Sequence, residues 1–252
     1  MQEDILLSSG FIPVDDERIG LGYETCPLHY KSLIKNAVSF AYALAPKDIE
    51  PVEYQRQISH VREHSRTSRC DWALFILDEQ RFPVPAMLSA LVPALVAKVD
   101  TLIVASVAPC SPALFFGLDV LGVDQIFETH SPDELASCLI AHRPGVILNF
   151  SDQPLGAHRH AHSFAPQHYP CTAQVALSTE LLAAYHDLFA SAHTTPDQPV
   201  YLAYIDSLLT HQPRYSLSAP LLGCWIWDNI SPDTFRFVHT NFSYAPVPGY
   251  DA

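Results

Sequence analysis

Glycine is scarce in this chain: nine residues among 252, against twenty-one prolines. The prolines fall in the loops after apolar runs and through the last hundred or so residues, so stiff connections are expected where other chains use flexible ones. Basic side chains are also few, 14 Lys and Arg against 27 Asp and Glu. The formal charge of −13 opposes broad affinity for nucleic acid or for an anionic membrane surface. No stretch supplies the roughly twenty apolar residues of a bilayer crossing. The opening MQEDILLSSG has neither a basic start nor a long apolar run, and the expectation is a cytoplasmic protein. Cys26, Cys70, Cys110, Cys138, Cys171 and Cys224 are scattered without a CxxC pair, which supports neither a disulfide framework nor a structural zinc ribbon. Reduced, mostly buried thiols are expected. There is no internal repeat, and the length is enough to bury a substantial core.

What is present is an alternation of apolar strands and apolar helices between Trp72 and Phe150. Trp72 to Leu77 (WALFIL) is the short apolar run that a strand buried on both faces requires. After the loop DEQRFPVP, a helix starting near Pro85 is apolar nearly all round, which places it between the sheet and a second layer. Thr101 to Ala105 forms the next strand. Ala113 to Leu121 forms the next helix, with Gly122 able to end it in a left-handed conformation. Asp124 to Thr129 is a third strand. Pro132 to Ala141 reads as a helix with Ser131 as N-cap and Glu134 completing a capping box, and Val146 to Phe150 as a fourth strand. About eighty residues of this rhythm imply a mostly parallel, Rossmann-like, doubly wound α/β sheet.

Two further segments flank this α/β domain, which is assigned to residues 71–157. Residues 1–70 are expected to form N-terminal helices packed on the core: an amphipathic helix from about Leu28 to Leu44, stopped by Pro46, and a polar surface helix from about Val52 to Ser65. Residues 158–252 are expected to form an extension. It holds a His-rich loop, an amphipathic helix over Ala176 to Ala192, a helical or extended element over Val200 to Leu209, and a terminal β-hairpin on which Trp225 and Trp227 share a face.

Several of these residues form a wider pattern: Arg81, Phe82 and Pro83 after the first strand, and Val92, Pro93, Ala94 and Ala97 in the long apolar helix. Leu102, Ile103, Val104 and Ser106 follow, and then the run from Leu121 to Phe127 (LGVDQIF). Spread over about a third of the chain, the pattern resembles the aldehyde dehydrogenase superfamily, and within it the histidinol dehydrogenase-like branch. The resemblance implies a cleft for NAD or NADP at the carboxyl ends of the strands, lined by Arg81, Phe82, Pro83, Ser106 and Ser151. It implies an oxidoreductase acting on a small aldehyde or alcohol. The matched positions depart from the family's, however. Arg81 stands where aldehyde dehydrogenases usually carry an asparagine whose amide helps hold the oxyanion. Ser106 and Pro109 stand where a lysine and a glutamate commonly meet the adenine ribose. Ser151, Asp152 and Gln153 replace a glycine-containing turn, which hinders close approach of phosphate to backbone. About a hundred residues follow the sheet domain, fewer than a full catalytic half in either branch needs. The alternative reading is a non-catalytic small-ligand or protein-binding member that has lost the catalytic half.

His158, His160, His162 and His168 (AHRHAHSFAPQH) form a second candidate site. In an extended segment, alternation brings the first three imidazoles to one side, where zinc could take them as ligands and hold a water in the fourth position. The other reading is a polar loop whose histidines hydrogen-bond or face solvent. The stretch follows the fourth strand, so it is expected beside the same cleft as Phe82 and Ser106. Cys224 and Cys171 read as structural thiols, since neither has an evident activating neighbour. The terminal aromatic hairpin offers a surface for a homodimer. Expected partners are thus a small-molecule ligand and a second copy, with no nucleic acid and no membrane.

Overall fold

The computed structural model describes residues 2–46, 52–123, 125–164, 173–176, 215–218 and 224–244. Helices α1 (Gln2–Ser8), α2 (Asp16–Thr25) and α3 (Leu28–Leu44) lead into a hairpin of β1 (Glu53–Ile58) and β2 (Val61–Arg69). Then come β3 (Trp72–Leu77), α4 (Val84–Val96), β4 (Thr101–Ser106), α5 (Pro112–Val120), β5 (Gln125–Glu128), α6 (Pro132–Ile140), β6 (Gly145–Asn149) and β7 (Ala161–Ser163). Two short strands, β8 (Ala173–Ala176) and β9 (Tyr215–Ser218), pair with each other in parallel. A short 3-10 helix, Pro232–Phe235, leads into β10 (Arg236–Tyr244), which pairs antiparallel with β2.

The main sheet has the order β5-β4-β3-β6-β7, and every neighbouring pair is parallel. Its central strand explains the unbroken apolar run. Ala73, Phe75 and Leu77 point into one core, while Trp72, Leu74 and Ile76 point into the other, so no position of β3 can be polar. On the first face α4 and α5 lie against the sheet with α3 and α2 stacked outside them, and α4 is buried from Val84 to Ala94. That sandwich is why α4 is apolar all round. On the other face α6 packs with α1. The α/β, Rossmann-like, doubly wound fold read from the sequence is the one observed, and α3 has the expected bounds. None of the helices among the described residues is long and apolar enough to cross a membrane.

Several elements differ from expectation. The helix expected over Val52 to Ser65 is the β1–β2 hairpin, turned at Ser59 with φ 53°. Tyr54, Ile58 and Val61 are spaced as a helix would also space them, so the local pattern does not separate the two structures. Ser131 precedes α6 but makes no side-chain cap. Its ψ of 62° keeps it from the extended geometry of a cap, and its N–H goes to Thr129 Oγ1 at 3.0 Å. The fifth strand of the sheet, β7, comes from the stretch expected to be a His-rich loop. In place of a terminal hairpin, the single strand β10 pairs with β2, some 170 residues earlier. Trp225 and Trp227 sit against the core. The helix expected over Ala176 to Ala192, the element over Val200 to Leu209, His168 and Cys171 lie outside the described residues, apart from Ala176 at the end of β8.

Candidate functional site

Open α/β sheets bind ligands at the carboxyl ends of their strands, at the point where strand order reverses. Here that point lies between β3 and β6, since the chain runs outward through β4 and β5 before returning to β6. The loops at this edge are tied to themselves and to one another. After β3, Asp78 Oδ1 accepts from Gln80 N at 2.9 Å, and the Asp78 carbonyl accepts from Arg81 N and Phe82 N. After β4, Cys110 N donates to Glu128 at 2.9 Å and Ser111 N to Glu79 at 2.8 Å. Ser111 in turn caps α5 through Leu114 N. After β6, Asn149 Oδ1 accepts from both the N–H and the hydroxyl of Ser151, and Gln153 N donates to Ser151 Oγ. Gly156 N donates to Asp133 at 2.7 Å. Pro85, Pro112 and Pro132 each remove one further donor from the first turns of α4, α5 and α6.

The reversal point itself is filled by aromatic rings. Phe82 meets Phe150 edge-on at 5.6 Å, and Phe150 stacks on Phe164 at 4.7 Å. Trp227 lies against all three, at 5.9, 5.3 and 5.5 Å from Phe82, Phe150 and Phe164. Its indole N–H donates to Ala86 O at 2.9 Å and to Ser89 Oγ at 3.1 Å in the first turns of α4. Arg81 Nη1 stands 4.0 Å from Asp152 Oδ2, spanning the loops after β3 and β6.

Charge at this edge is negative: Asp78, Glu79, Glu128 and Asp152 against Arg18 and Arg81. Arg18, on α2, holds Glu128 through two bonds of 3.0 and 2.9 Å. Burial acts to raise the Glu128 pKa, but the bonds from Arg18 and Cys110 N outweigh it and hold the carboxyl below its usual range. Burial, reinforced by Glu79, pushes the Cys110 thiol far above its usual range, so it carries no thiolate at neutral pH. Burial likewise lifts Cys70 to about 12.

The fold brings the expected cofactor residues to one edge, where all but Arg81 are buried. Phe82 is 1% exposed, Ser106 1% and Ser151 4%, and Pro83 is buried beside them. The Ser106 hydroxyl donates to Ala108 O at 2.6 Å. A dinucleotide needs unspent N–H groups and space for its pyrophosphate. The described residues at this edge supply carboxylates, prolines and rings in place of several of these groups.

The three histidines expected to bind zinc do not converge. His158 Nε2 is 2.7 Å from Asp133 Oδ1, the His160 ring packs on Phe237 at 4.9 Å, and His162 is exposed on β7 opposite Leu148. Alternation failed because residues 159–160 form a turn and the strand begins only at Ala161. Hydrogen bonds from Gly156 N and then from His158 hold Asp133 below its usual pKa range. Among the described residues no group of three His, Cys, Asp or Glu side chains stands close enough to hold a metal. His158 and His160 line a cleft of about 390 Å³ with Ile140 to Gly145, at the amino end of β6 and away from Phe82 and Ser106. A second cleft of about 480 Å³, below the amino end of β3, gathers Arg66, Arg69, Lys98 and Arg236. Asp100 and Asp233 pair with two of these cations.

Sequence reasoning missed Trp227, Asn149, Glu79, Glu128 and Arg18 as the residues that shape this edge. The acidic pair Asp78-Glu79 directly after an apolar strand was the one local signal available.

No family model matches the chain, and no curated protein matches it. Among solved structures, histidinol dehydrogenase from Elizabethkingia anophelis is similar over 93% of this chain and 77% of that chain, with 10% identity and a TM-score of 0.45. The fold class stands on the strand order and register described above.

Proposed function

We propose that this chain is a non-catalytic binding member of the dehydrogenase-like α/β class, and that what it binds is protein. The observation that carries the reading is Trp227, whose indole occupies the reversal point between β3 and β6, where a cofactor of such a sheet would lie. Three further features support it. Several loop N–H groups are spent on the chain's own side chains, the edge carries net negative charge, and the thiol in the loop after β4, Cys110, is held protonated. A protein partner is favoured over a small molecule by the three-stranded sheet of β1, β2 and β10, which leaves one apolar face uncovered.

Calorimetric titration with NAD and with NADP, each to millimolar concentration, tests the non-catalytic reading. The expected result is no saturable heat with either. One-to-one binding of either dinucleotide overturns the reading in favour of an oxidoreductase acting on a small aldehyde or alcohol.

A further inference from the structure

Both faces of the sheet β1-β2-β10 are largely exposed, and one of them is rich in apolar side chains. By the observed register, Tyr54, Ile58, Val61, Val238, Phe242 and Tyr244 all stand on one face. Each is 44–75% exposed. The opposite face carries Gln55, Gln57, Arg62, His64, His239 and Asn241. An exposed cluster of large apolar side chains on one sheet face is expected to be buried against another surface.

The two buried polar side chains of the apolar face are already satisfied within it. Glu63, 7% exposed, accepts from Tyr54 Oη at 2.8 Å and from Arg56 Nε. Ser65, 3% exposed, shares a hydrogen bond of 3.1 Å with Thr240. Covering the face therefore strands neither of these groups, and stranded polar groups are the usual obstacle to burying a sheet surface.

Charge and area indicate the occupant. The molecule carries −13, so two copies repel over most of their surface. This face is an exception, because its one carboxylate, Glu63, is matched by Arg56. A basic partner would be drawn to the acidic surfaces elsewhere, whereas a neutral apolar face suits a partner with the same surface. The six side chains together expose on the order of 700 Å², close to the roughly 800 Å² per partner of a standard interface. Two identical twisted sheets stack face to face about 10 Å apart in a self-complementary way.

We propose that this face is the interface of a homodimer, in which the β1-β2-β10 sheets of two copies pack across a two-fold axis. The inference rests on the reading of the chain as a protein-binding member, and it moves the dimer contact away from Trp225 and Trp227, which face the core. The test is sedimentation equilibrium of the full chain from low micromolar to a few hundred micromolar, on wild type and on Val238→Glu/Phe242→Glu. Wild type is expected at twice the 28.0 kDa chain mass. The double variant should self-associate about 100-fold more weakly or worse, with an unchanged circular dichroism spectrum. Asn241→Glu, on the polar face, should leave the dimer intact. A dimer that survives the double substitution overturns the inference. So does a wild type that stays monomeric while binding an apolar dye that Val238→Glu/Phe242→Glu no longer binds, although protein binding by this face would then stand. A monomer that binds no such dye overturns both.

Discussion

Trp227→Ala is expected to destabilise the fold by about 3 kcal/mol, read as a lower urea midpoint at unchanged slope. The substitution removes ring contacts with Phe82, Phe150, Phe164 and Trp225, and it leaves a void at the carboxyl ends of β3 and β6. It also deletes the indole N–H that holds the segment before β10 to Ala86 O and Ser89 Oγ. Full burial of a tryptophan would justify a larger figure, but this one is only half-buried. Trp227→Phe separates the two contributions, since it keeps a ring and loses the donor, and its cost should fall near 1 kcal/mol. A change within about 0.5 kcal/mol for Trp227→Ala would mean that the indole is a surface ornament and not the filling of the site.

Gly145→Ala is expected to be at least as damaging, about 3 kcal/mol or more, with a fall in Tm of roughly 10 °C. A Cβ at this position would lie 2.1, 2.2 and 2.5 Å from Cδ2, Cε2 and Cε3 of Trp72. The indole has nowhere to go. It is fully buried, and its N–H donates to Arg143 O at 3.0 Å, in the loop that delivers Gly145. Trp72 and Gly145 are also register partners, so any shift is felt along the β3–β6 pairing that sets up the reversal point. Gly20, with nothing within 4 Å, should accept alanine without loss, and thermal melts of the two variants side by side make the comparison.

The parts of the fold legible in the sequence are those whose physics is local. WALFIL reads as a buried strand because burial on both faces forbids polar residues anywhere along it. The helix from Leu28 to Leu44 reads correctly because Leu33, Ile34, Ala37 and Val38 recur at helical spacing and are the residues that become buried. The hairpin over residues 53–69 was misread because Tyr54, Ile58 and Val61 are thinly spread among charges that suit a surface helix equally well. What stabilises it as sheet is β10, far away in the chain.

The candidate site was legible in place but not in state. Strand order brings Arg81, Phe82, Pro83, Ser106 and Ser151 to one edge, as the βα rhythm implies. Whether that edge is open depends on Trp227 arriving from the carboxyl-terminal segment, on Glu79 and Glu128 meeting N–H groups of another loop, and on Arg18 reaching across from α2. None of these pairings leaves a local pattern. The histidines were misplaced for a related reason, because alternation holds only inside a strand and only His162 of the three lies in one.

The central claim, that the indole of Trp227 occupies the place of a cofactor, can be followed directly by fluorine NMR of protein labelled with 5-fluorotryptophan. The chain has three tryptophans, so three resonances are expected, assignable by single Trp→Phe substitutions. With NAD added to several millimolar, the resonance of Trp227 should stay where it is, alongside those of Trp72 and Trp225. A saturable shift confined to Trp227, marking an indole displaced by the dinucleotide, would contradict the account.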